Sequence, residues 1–254
     1  MKITPIKTPI VRPSDNLYQI IADNIKKLPE KSVLIITSKI IAYCQNRIIK
    51  KSNFDNKNEK HQLVIKEADL WLDPSKSQYQ TMLTIKNNIL AVNAGIDESN
   101  SLTGDYILWP DNLQTVANQV WSYLKNTYQL RQVGVLITDS KTMPLKWGVT
   151  GTALACCGFD YLNDYRRQKD IFGRALKMTQ INVAEALAAA AVLEMGESDQ
   201  QTPLAIAQNI KLINFTERPP SKLKLKQLKI KLEEDVYYPV LKHAPWQKGQ
   251  SGRS

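Results

Sequence analysis

Two acidic clusters follow apolar, β-branched runs. The first is Asn93-Ala94-Gly95-Ile96-Asp97-Glu98-Ser99-Asn100 and the second is Thr138-Asp139-Ser140. In α/β sheets, ligands gather where strands reach their carboxyl ends. Two Asp residues with nearby hydroxyl and amide oxygens could form an oxygen-only site for a hard divalent ion such as Mg²⁺ or Mn²⁺. At Gly95 the bare backbone would let a phosphate approach closely. The plainer alternative is that these Asp and Asn residues only make turns. Lys39, directly after an apolar run, could meet a phosphate or face solvent. Glu197, just past the Ala-rich segment Val183–Gly196, is either a ligand or a solvated acid.

Other chemistries lack their residues. Only two histidines occur, His61 and His243, too few for a His-rich metal site and unfavourable for a Ser-His-Asp hydrolase. The three cysteines are odd in number, Cys156 and Cys157 are adjacent, and no Cys-x-x-Cys is present. They read as small buried hydrophobes in a reducing compartment. Neither GxxxxGK[ST] nor GxGxxG occurs, so any nucleotide would bind on an unusual scaffold. Apolar residues make up 43% and charged residues 23% of the chain, an ordinary globular balance. No long apolar run or signal-like N-terminus is present, so the expectation is a soluble cytoplasmic protein with no membrane partner. The net charge is +10, and residues 217–254 supply half of it, nine Lys/Arg against four acids. Such a balance suits a nucleic acid or a polyanionic small molecule. No nucleic-acid motif accompanies it, so no nucleic-acid partner is expected.

The elements that must position these residues alternate along the chain. Residues 1–13 read as extended. Asp15 would cap a helix over 16–28, and Ser32–Ser38 reads as a buried strand. Residues 53–60 read as a polar loop and 62–72 as a helix. A strand is expected over 85–92, followed by a polar loop to 101. Asp111 would cap a helix over 112–128. Val133–Thr138 is the clearest buried strand, ending at Asp139-Ser140. Residues 182–195 form an Ala-rich helix, and 204–207 a short strand. The Lys-Leu alternation of 222–232 reads as a strand with one solvated face, and 247–254 as a frayed tail. Interleaved strands and helices make the class α/β or α+β.

These motifs carry a resemblance. AGIDESN at 94–100, TDS at 138–140 and Ala184–Gly196 are similar to the coenzyme F420:L-glutamate ligase (F420-0 γ-glutamyl ligase) family. Ser38-Lys39-Ile40-Ile41, Leu108-Trp109-Pro110-Asp111 and Asp170-Ile171-Phe172-Gly173-Arg174 with Thr179 resemble further family segments in the same order. The resemblance runs over about residues 8–216. It implies an α+β fold of mixed sheets and packed helices in two lobes, an intertwined homodimer, and a site between lobes. It implies an enzyme that uses GTP, or ATP, with Mg²⁺ or Mn²⁺. The product is an amide between L-glutamate and the carboxylate of a small cofactor, formed through an acyl phosphate. It also implies roles. Asp97, Asp139, Ser140 and Glu197 would hold metal. Ser38, Lys39 and Asn100 would contact nucleotide, and Pro9-Ile10 would line its pocket. Residues 1–216 would be the catalytic domain, 217–246 a basic strand/helix extension of it, and 247–254 a disordered tail.

The chain departs from the family pattern around Tyr43–Asn46 and Lys141–Met143, and again at Glu185-Ala186 and Gln208-Asn209. Tyr43, Gln45 and Asn46 replace a Lys, a Glu and a Gly, and Glu197 stands where Gln is common. Tyr43 offers a phenol that can stack on a planar ring. That favours a folate-like acceptor over a deazaflavin one, whose phosphodiester would want the missing Lys. The same departures also fit a non-catalytic relative that keeps nucleotide or metal. A basic nucleic-acid module is a third reading, resting on tail charge alone.

Overall fold

The computed structural model describes residues 1–52, 57–101 and 103–251. In chain order the elements are β1 (Lys2–Ile6), α1 (Leu17–Asn24), β2 (Ser32–Thr37), α2 (Ser38–Cys44), β3 (Ile48–Ile49), α3 (Lys57–Glu67), β4 (Leu70–Trp71), β5 (Leu83–Lys86), β6 (Ile89–Val92), β7 (Tyr106–Ile107), α4 (Leu113–Thr127), β8 (Val133–Thr142), β9 (Val149–Cys157), β10 (Leu162–Asp164), β11 (Gln180–Asn182), α5 (Val183–Met195), β12 (Leu204–Gln208), α6 (Lys222–Leu228), α7 (Tyr238–Leu241) and β13 (Gln247–Lys248). The class is α+β with several mixed sheets. No helix among the described residues is long and apolar enough to cross a membrane. The chain divides into two compact units. One comprises Met1–Gln45, Pro110–Ser140 and Val149–Pro220; the other comprises Asn46–Trp109, Lys141–Gly148 and Ser221–Ser254.

The first unit is built on a five-stranded sheet of order β1-β12-β2-β8-β9. β2 and β8 run parallel, from Ser32↔Val133 to Thr37↔Thr138, while β12 is antiparallel to both β1 and β2. Side chains alternate across a strand, so an unbroken apolar run fits only a strand buried on both faces. Leu34, Ile36, Val133, Val135 and Ile137 pack on one face with Ile21 of α1 and Val120 and Leu124 of α4. Val33, Ile35 and Leu136 pack on the other with Leu187, Ala188 and Ala191 of α5. The alanines let α5 lie close: a Cβ on Gly151 of β9 would sit 2.1 Å from the Ala188 carbonyl oxygen.

The second unit carries an antiparallel sheet of order β13-β4-β5-β6 and the short pair β3–β7. Its core is Val64, Ala68, Met82, Ala94, Ile96, Tyr106 and Leu108. A charged triad ties its pieces together. Glu67 at the end of α3 accepts from Lys86 Nζ of β5 at 2.6 Å and Arg47 Nη2 at 2.9 Å. Arg47 Nε also donates to the Trp109 carbonyl at 3.3 Å. Burial alone would push the Glu67 carboxyl up. The hydrogen bond and charge of Lys86, then those of Arg47, outweigh it and hold the group below the usual carboxylate range.

Several local expectations are corrected. The cap of α1 is Asn16, whose Oδ1 accepts from Tyr18 N and Gln19 N, while Asp15 Oδ2 binds Arg12 N at 2.7 Å. α4 begins after Asn112, a left-handed residue (φ 51) that makes no side-chain cap, so Asp111 lies one residue outside the cap position. Residues 85–92 form no single strand: Asn87 and Asn88, at φ 53 and 67, turn the chain between β5 and β6. Asn tolerates positive φ, which a two-residue hairpin turn requires. Residues 53–56 lie outside the described residues, and Lys57–Lys60 are already the first turn of α3, which ends at Glu67. The Lys-Leu segment starts as the helix α6, not a strand. Ser221 Oγ accepts from Lys224 N at 3.2 Å, and Lys, Leu and Gln are good helix formers. Residues 247–251 are paired rather than frayed: Gln247 and Lys248 align with Trp71 and Leu70. Gln250 N and Ser251 N donate to the Ile65 and Ala68 carbonyls beyond the α3 ladder.

Replacing Glu67 by Gln is expected to cost about 3 kcal/mol at pH 7, because the buried Lys86 and the half-buried Arg47 lose their anion. The folded carboxyl titrates below its unfolded value. Its stabilisation is therefore present above about pH 4.3 and is lost as pH falls through the folded value. Urea unfolding of both proteins from pH 7 to pH 3 checks this. The gap should narrow below about pH 4.3, and a constant gap would contradict the assignment.

Candidate functional site

In the first unit the expected residues gather at one end of the sheet. Thr37↔Thr138 is the last pair of the parallel β2–β8 ladder. Ser38-Lys39 and Asp139-Ser140 therefore follow that ladder side by side. Ser38 is buried, and Lys39, Asp139 and Ser140 are half-buried. β1 finishes at the same end, because Ile6 pairs with Leu204 and Leu204 with Ile36. Thr37 N donates to the Pro203 carbonyl and Thr8 N to the Gln201 carbonyl, each at 3.0 Å. These bonds bring Pro9-Ile10 and the 196–203 connection, which carries Glu197, to the same edge. Ile10 and Glu197 are exposed. β8 does not end at Asp139-Ser140 but continues to Thr142, so the carboxylate stands on a strand. Asp139 Oδ1 accepts from Ser140 N at 2.8 Å.

Behind this end lies a polar chain that the sequence reading missed. Thr138 Oγ1 donates to the Thr152 carbonyl of β9 at 2.9 Å. Thr152 Oγ1 in turn donates to Glu185 of α5, at 3.0 Å to Oε1 and 3.1 Å to Oε2. A signal was available: Glu185 is an acid inside a run of Ala, Leu and Val that otherwise only packs.

Asp97 and Asn100 belong to the second unit. Their loop opens with three left-handed residues, Asn93 (φ 52), Ala94 (φ 53) and Gly95 (φ 74). The turn is held from both sides. Thr84 Oγ1 accepts from Ala94 N at 2.9 Å, and Asn93 Oδ1 accepts from Met82 N at 3.0 Å. The backbone approach expected at Gly95 is occupied by Trp109 rather than left open for a phosphate. A Cβ on Gly95 would lie 2.1 Å from two indole atoms. Asp97 exchanges both backbone bonds with Ile107. Its Oδ1 accepts from Glu98 N (2.6 Å) and Ser99 N (2.9 Å), and Oδ2 accepts from Ser99 Oγ (2.9 Å). The turn-making role and a fixed, ligand-ready carboxylate are thus the same geometry.

Glu98 anchors that loop to Lys51 and, at 2.6 Å, to Lys60 Nζ. Burial would raise its carboxyl, but the two lysines prevail and hold it low. Asn100 is left-handed at φ 55. Among the described residues, Ser101 Oγ is the one buried side-chain polar atom with no hydrogen-bond partner. An orphaned hydroxyl beside Asn100 suits a loop that receives a polar ligand. Within neither unit do three or more described His, Cys, Asp or Glu side chains cluster as a metal site. The donor set is instead carboxylates, hydroxyls and amides, hard oxygens of the kind Mg²⁺ and Mn²⁺ take.

The departures at 43–46 have local explanations. Tyr43 is buried at 6% exposure, so it is no open platform for a planar ring. Gln45 bonds the Asp111 backbone twice, Nε2 donating to its carbonyl (3.1 Å) and Oε1 accepting from its N–H (2.8 Å). Only an amide can do both; a Glu could only accept. Asn46 has φ 54, a conformation that Gly adopts freely and Asn tolerates.

Gly95→Ala is expected to destabilise the second unit by about 2–5 kcal/mol, from left-handed strain plus collision with the indole. In a Trp109→Leu background the collision is relieved, and about 1–2 kcal/mol of backbone strain should remain. Urea unfolding of the four proteins measures both. An equal penalty in the two backgrounds would remove Trp109 from the explanation.

Residues 5–209 match the family model described as F420-0:gamma-glutamyl ligase. A coenzyme F420:L-glutamate ligase of Methanococcus maripaludis (strain C6) is 30% identical, covering 93% of this chain and 97% of that protein. Those of Methanopyrus kandleri and Methanocaldococcus jannaschii are 29% and 27% identical, over 79% and 81% of this chain and 83% and 86% of theirs. With the matched region running from Pro5 of β1 through β12 and including both acidic segments, the chain belongs to the F420-0:gamma-glutamyl ligase family.

Proposed function

We propose that the protein is a ligase that joins L-glutamate, through its amine, to the carboxylate of a deazaflavin cofactor precursor, with GTP or ATP as phosphoryl donor. The observation that carries this reading is the meeting of Ser38, Lys39, Asp139 and Ser140 at the shared end of β2 and β8, within a chain of this family. A carboxylate is a poor acyl donor. Transfer of the nucleotide γ-phosphoryl group to it gives an acyl phosphate and releases the nucleoside diphosphate. The glutamate amine then attacks the acyl carbon, the amide forms, and inorganic phosphate and a proton leave. By the family pattern, Ser38, Lys39 and Asn100 would contact the nucleotide, and Pro9-Ile10 would line its pocket. By the same pattern, Asp97, Asp139, Ser140 and Glu197 would hold Mg²⁺ or Mn²⁺, which would offset the charge of the phosphate chain.

The folate-like acceptor loses its support, because Tyr43 is buried. The non-catalytic reading weakens too, because Gln45 and Asn46 serve the local fold. A homodimer is supported by the arm between β10 and β11. Asp170 Oδ1 accepts from Phe172 N and Arg174 N, each at 2.9 Å, and so fixes the tip of that arm. There Ile171 and Phe172 are 93% and 76% exposed, side chains that a second copy would cover. Sedimentation should give twice the chain mass for wild type and a shift toward monomer for Phe172→Asp. A monomeric wild type would remove the dimer.

The deciding assay offers each acceptor separately with L-glutamate, Mn²⁺ and either GTP or ATP, and weighs the products. A gain of glutamate mass on the deazaflavin is expected. A gain on a folate alone would overturn the acceptor assignment, and no gain on either would overturn the ligase. Asp139→Asn should lower turnover at least about a hundredfold with its unfolding midpoint kept. Near-normal turnover at limiting Mn²⁺ would exclude Asp139 from the site.

A further inference from the structure

Glu185 is the third residue of α5, where a glutamate commonly turns back to bond the helix's own capping residue. It does not serve that end here. Asn182 Oδ1 caps the Glu185 N–H at 3.0 Å, while the Glu185 carboxylate reaches across to β9. There it accepts from Thr152 Oγ1 at 3.0 and 3.1 Å and from Ala153 N at 3.3 Å. The reach is short because Gly151 carries no side chain, and α5 rests on the backbone at that point.

Thr152 is 2% exposed and Thr138 is fully buried, so neither hydroxyl has water to bond. A buried hydroxyl must find a protein partner. Thr152 gives its proton to Glu185, and Thr138 gives its own to the Thr152 carbonyl at 2.9 Å, with the Asp139 carbonyl at 3.3 Å as a second acceptor. Two hydrogen bonds, joined through the covalent frame of Thr152, therefore link α5 through β9 to Thr138, the residue that precedes Asp139. Packing alone does not ask for it. The buried residues of α5 are all apolar, from Val183 to Met195, and a carboxylate in a half-buried place is costly unless its bonds are used.

We propose that Glu185 is a positioning residue that sets the Asp139 carboxylate through Thr152 and Thr138; this rests on the reading of Asp139 as a metal ligand given above. Outer hydrogen-bond partners that orient a ligand commonly change metal affinity about 10- to 100-fold when removed. Glu185 touches neither metal nor substrate in this role. Its effect appears as a change in how well Asp139 is presented.

The test is Mn²⁺ binding to the full chain, followed by the paramagnetic signal of the free ion, with unfolding midpoints taken in metal-free buffer. Wild type, Glu185→Ala, Glu185→Gln, Thr138→Ser, Thr138→Val and the Glu185→Ala/Thr138→Val pair are compared. Glu185→Ala and Thr138→Val should each weaken Mn²⁺ binding about tenfold. Thr138→Ser, which keeps the hydroxyl, should bind like wild type. The pair should lose no more than the worse single variant, because both cut the same series. Glu185→Gln, whose amide oxygen can still accept from Thr152 Oγ1, should lose less than Glu185→Ala. Unchanged Mn²⁺ affinity in Glu185→Ala, whatever happens to the midpoint, would make Glu185 merely structural and overturn the proposal. Independent, multiplying losses in the pair would overturn the route through Thr138. If Glu185→Ala does not fold, Thr138→Val against Thr138→Ser carries the comparison, and equal Mn²⁺ affinity in those two would overturn the proposal. Absence of Mn²⁺ binding in wild type would instead refute the metal reading of Asp139, and this proposal with it.

Discussion

The parallel pairing of β2 with β8 is the constraint on which the first unit depends. Both strands are buried on both faces, so neither can slip by one residue without driving the opposite set of side chains into the wrong layer. That lock fixes Thr37 opposite Thr138. Everything polar that follows inherits the register: Ser38 and Lys39 on one side, Asp139 and Ser140 on the other. The apolar interior therefore sets the geometry of the charged edge. β12 extends the lock by pairing antiparallel to β2, which brings β1 and the connection bearing Glu197 to the same end. A chemical site needs groups from distant parts of the chain held to within a fraction of an ångström. Here that precision comes from aliphatic packing rather than from the acids themselves.

What the sequence disclosed follows from the same physics. Val33–Ile36 and Val133–Ile137 announce doubly buried strands by composition alone, and the Ala-rich run announces a helix that must lie close to its neighbour. The position of Asp139 after the buried run was legible for that reason, although β8 runs on for four more residues than expected. Features decided by single side-chain bonds were harder to read. Asn16 and Asp15 are both good caps, and only the structure shows that Asp15 is engaged with Arg12 N. An Asn-Asn pair reads as a polar interruption of one strand or as a hairpin turn. A Lys-Leu alternation satisfies a period of two, yet Leu225 and Leu228 are three apart and half-buried, while Leu223 is exposed.

The departures from the family pattern change meaning once their bonds are known. Read as sequence, Tyr43, Gln45 and Asn46 suggest a changed acceptor or a lost activity. In the fold, Gln45 fastens the backbone just before α4, and Asn46 supplies a left-handed turn. Tyr43 is enclosed in the first unit, its carbonyl accepting from Ser14 N at 2.9 Å. A substitution that removes charge from a family motif is evidence about chemistry only if the side chain faces the chemistry. Two of these three face the backbone scaffold in their bonding or their φ, and the third is closed to solvent. None of them bears on whether the acids at 97 and 139 can work.

The second unit reaches a comparable end by a different route. Its acidic loop is short, polar and left-handed at its start, so no aliphatic ladder can lock it. Rigidity comes instead from a set of small, specific contacts. The Thr84 hydroxyl holds Ala94, the indole of Trp109 closes on Gly95, and two lysines hold Glu98. Ala94 is thereby kept left-handed at φ 53, the kind of local cost that persists only where the surroundings over-determine it. The carboxylate of Asp97 contributes to that order by bonding three donors of its own loop, and the same bonds fix its orientation. A turn-forming Asp and a ligand Asp are commonly treated as competing readings of one residue. Here the turn is what would make the ligand usable, because a carboxylate already ordered by its own loop has less rotamer entropy to lose when a cation or a phosphate-bound ion arrives.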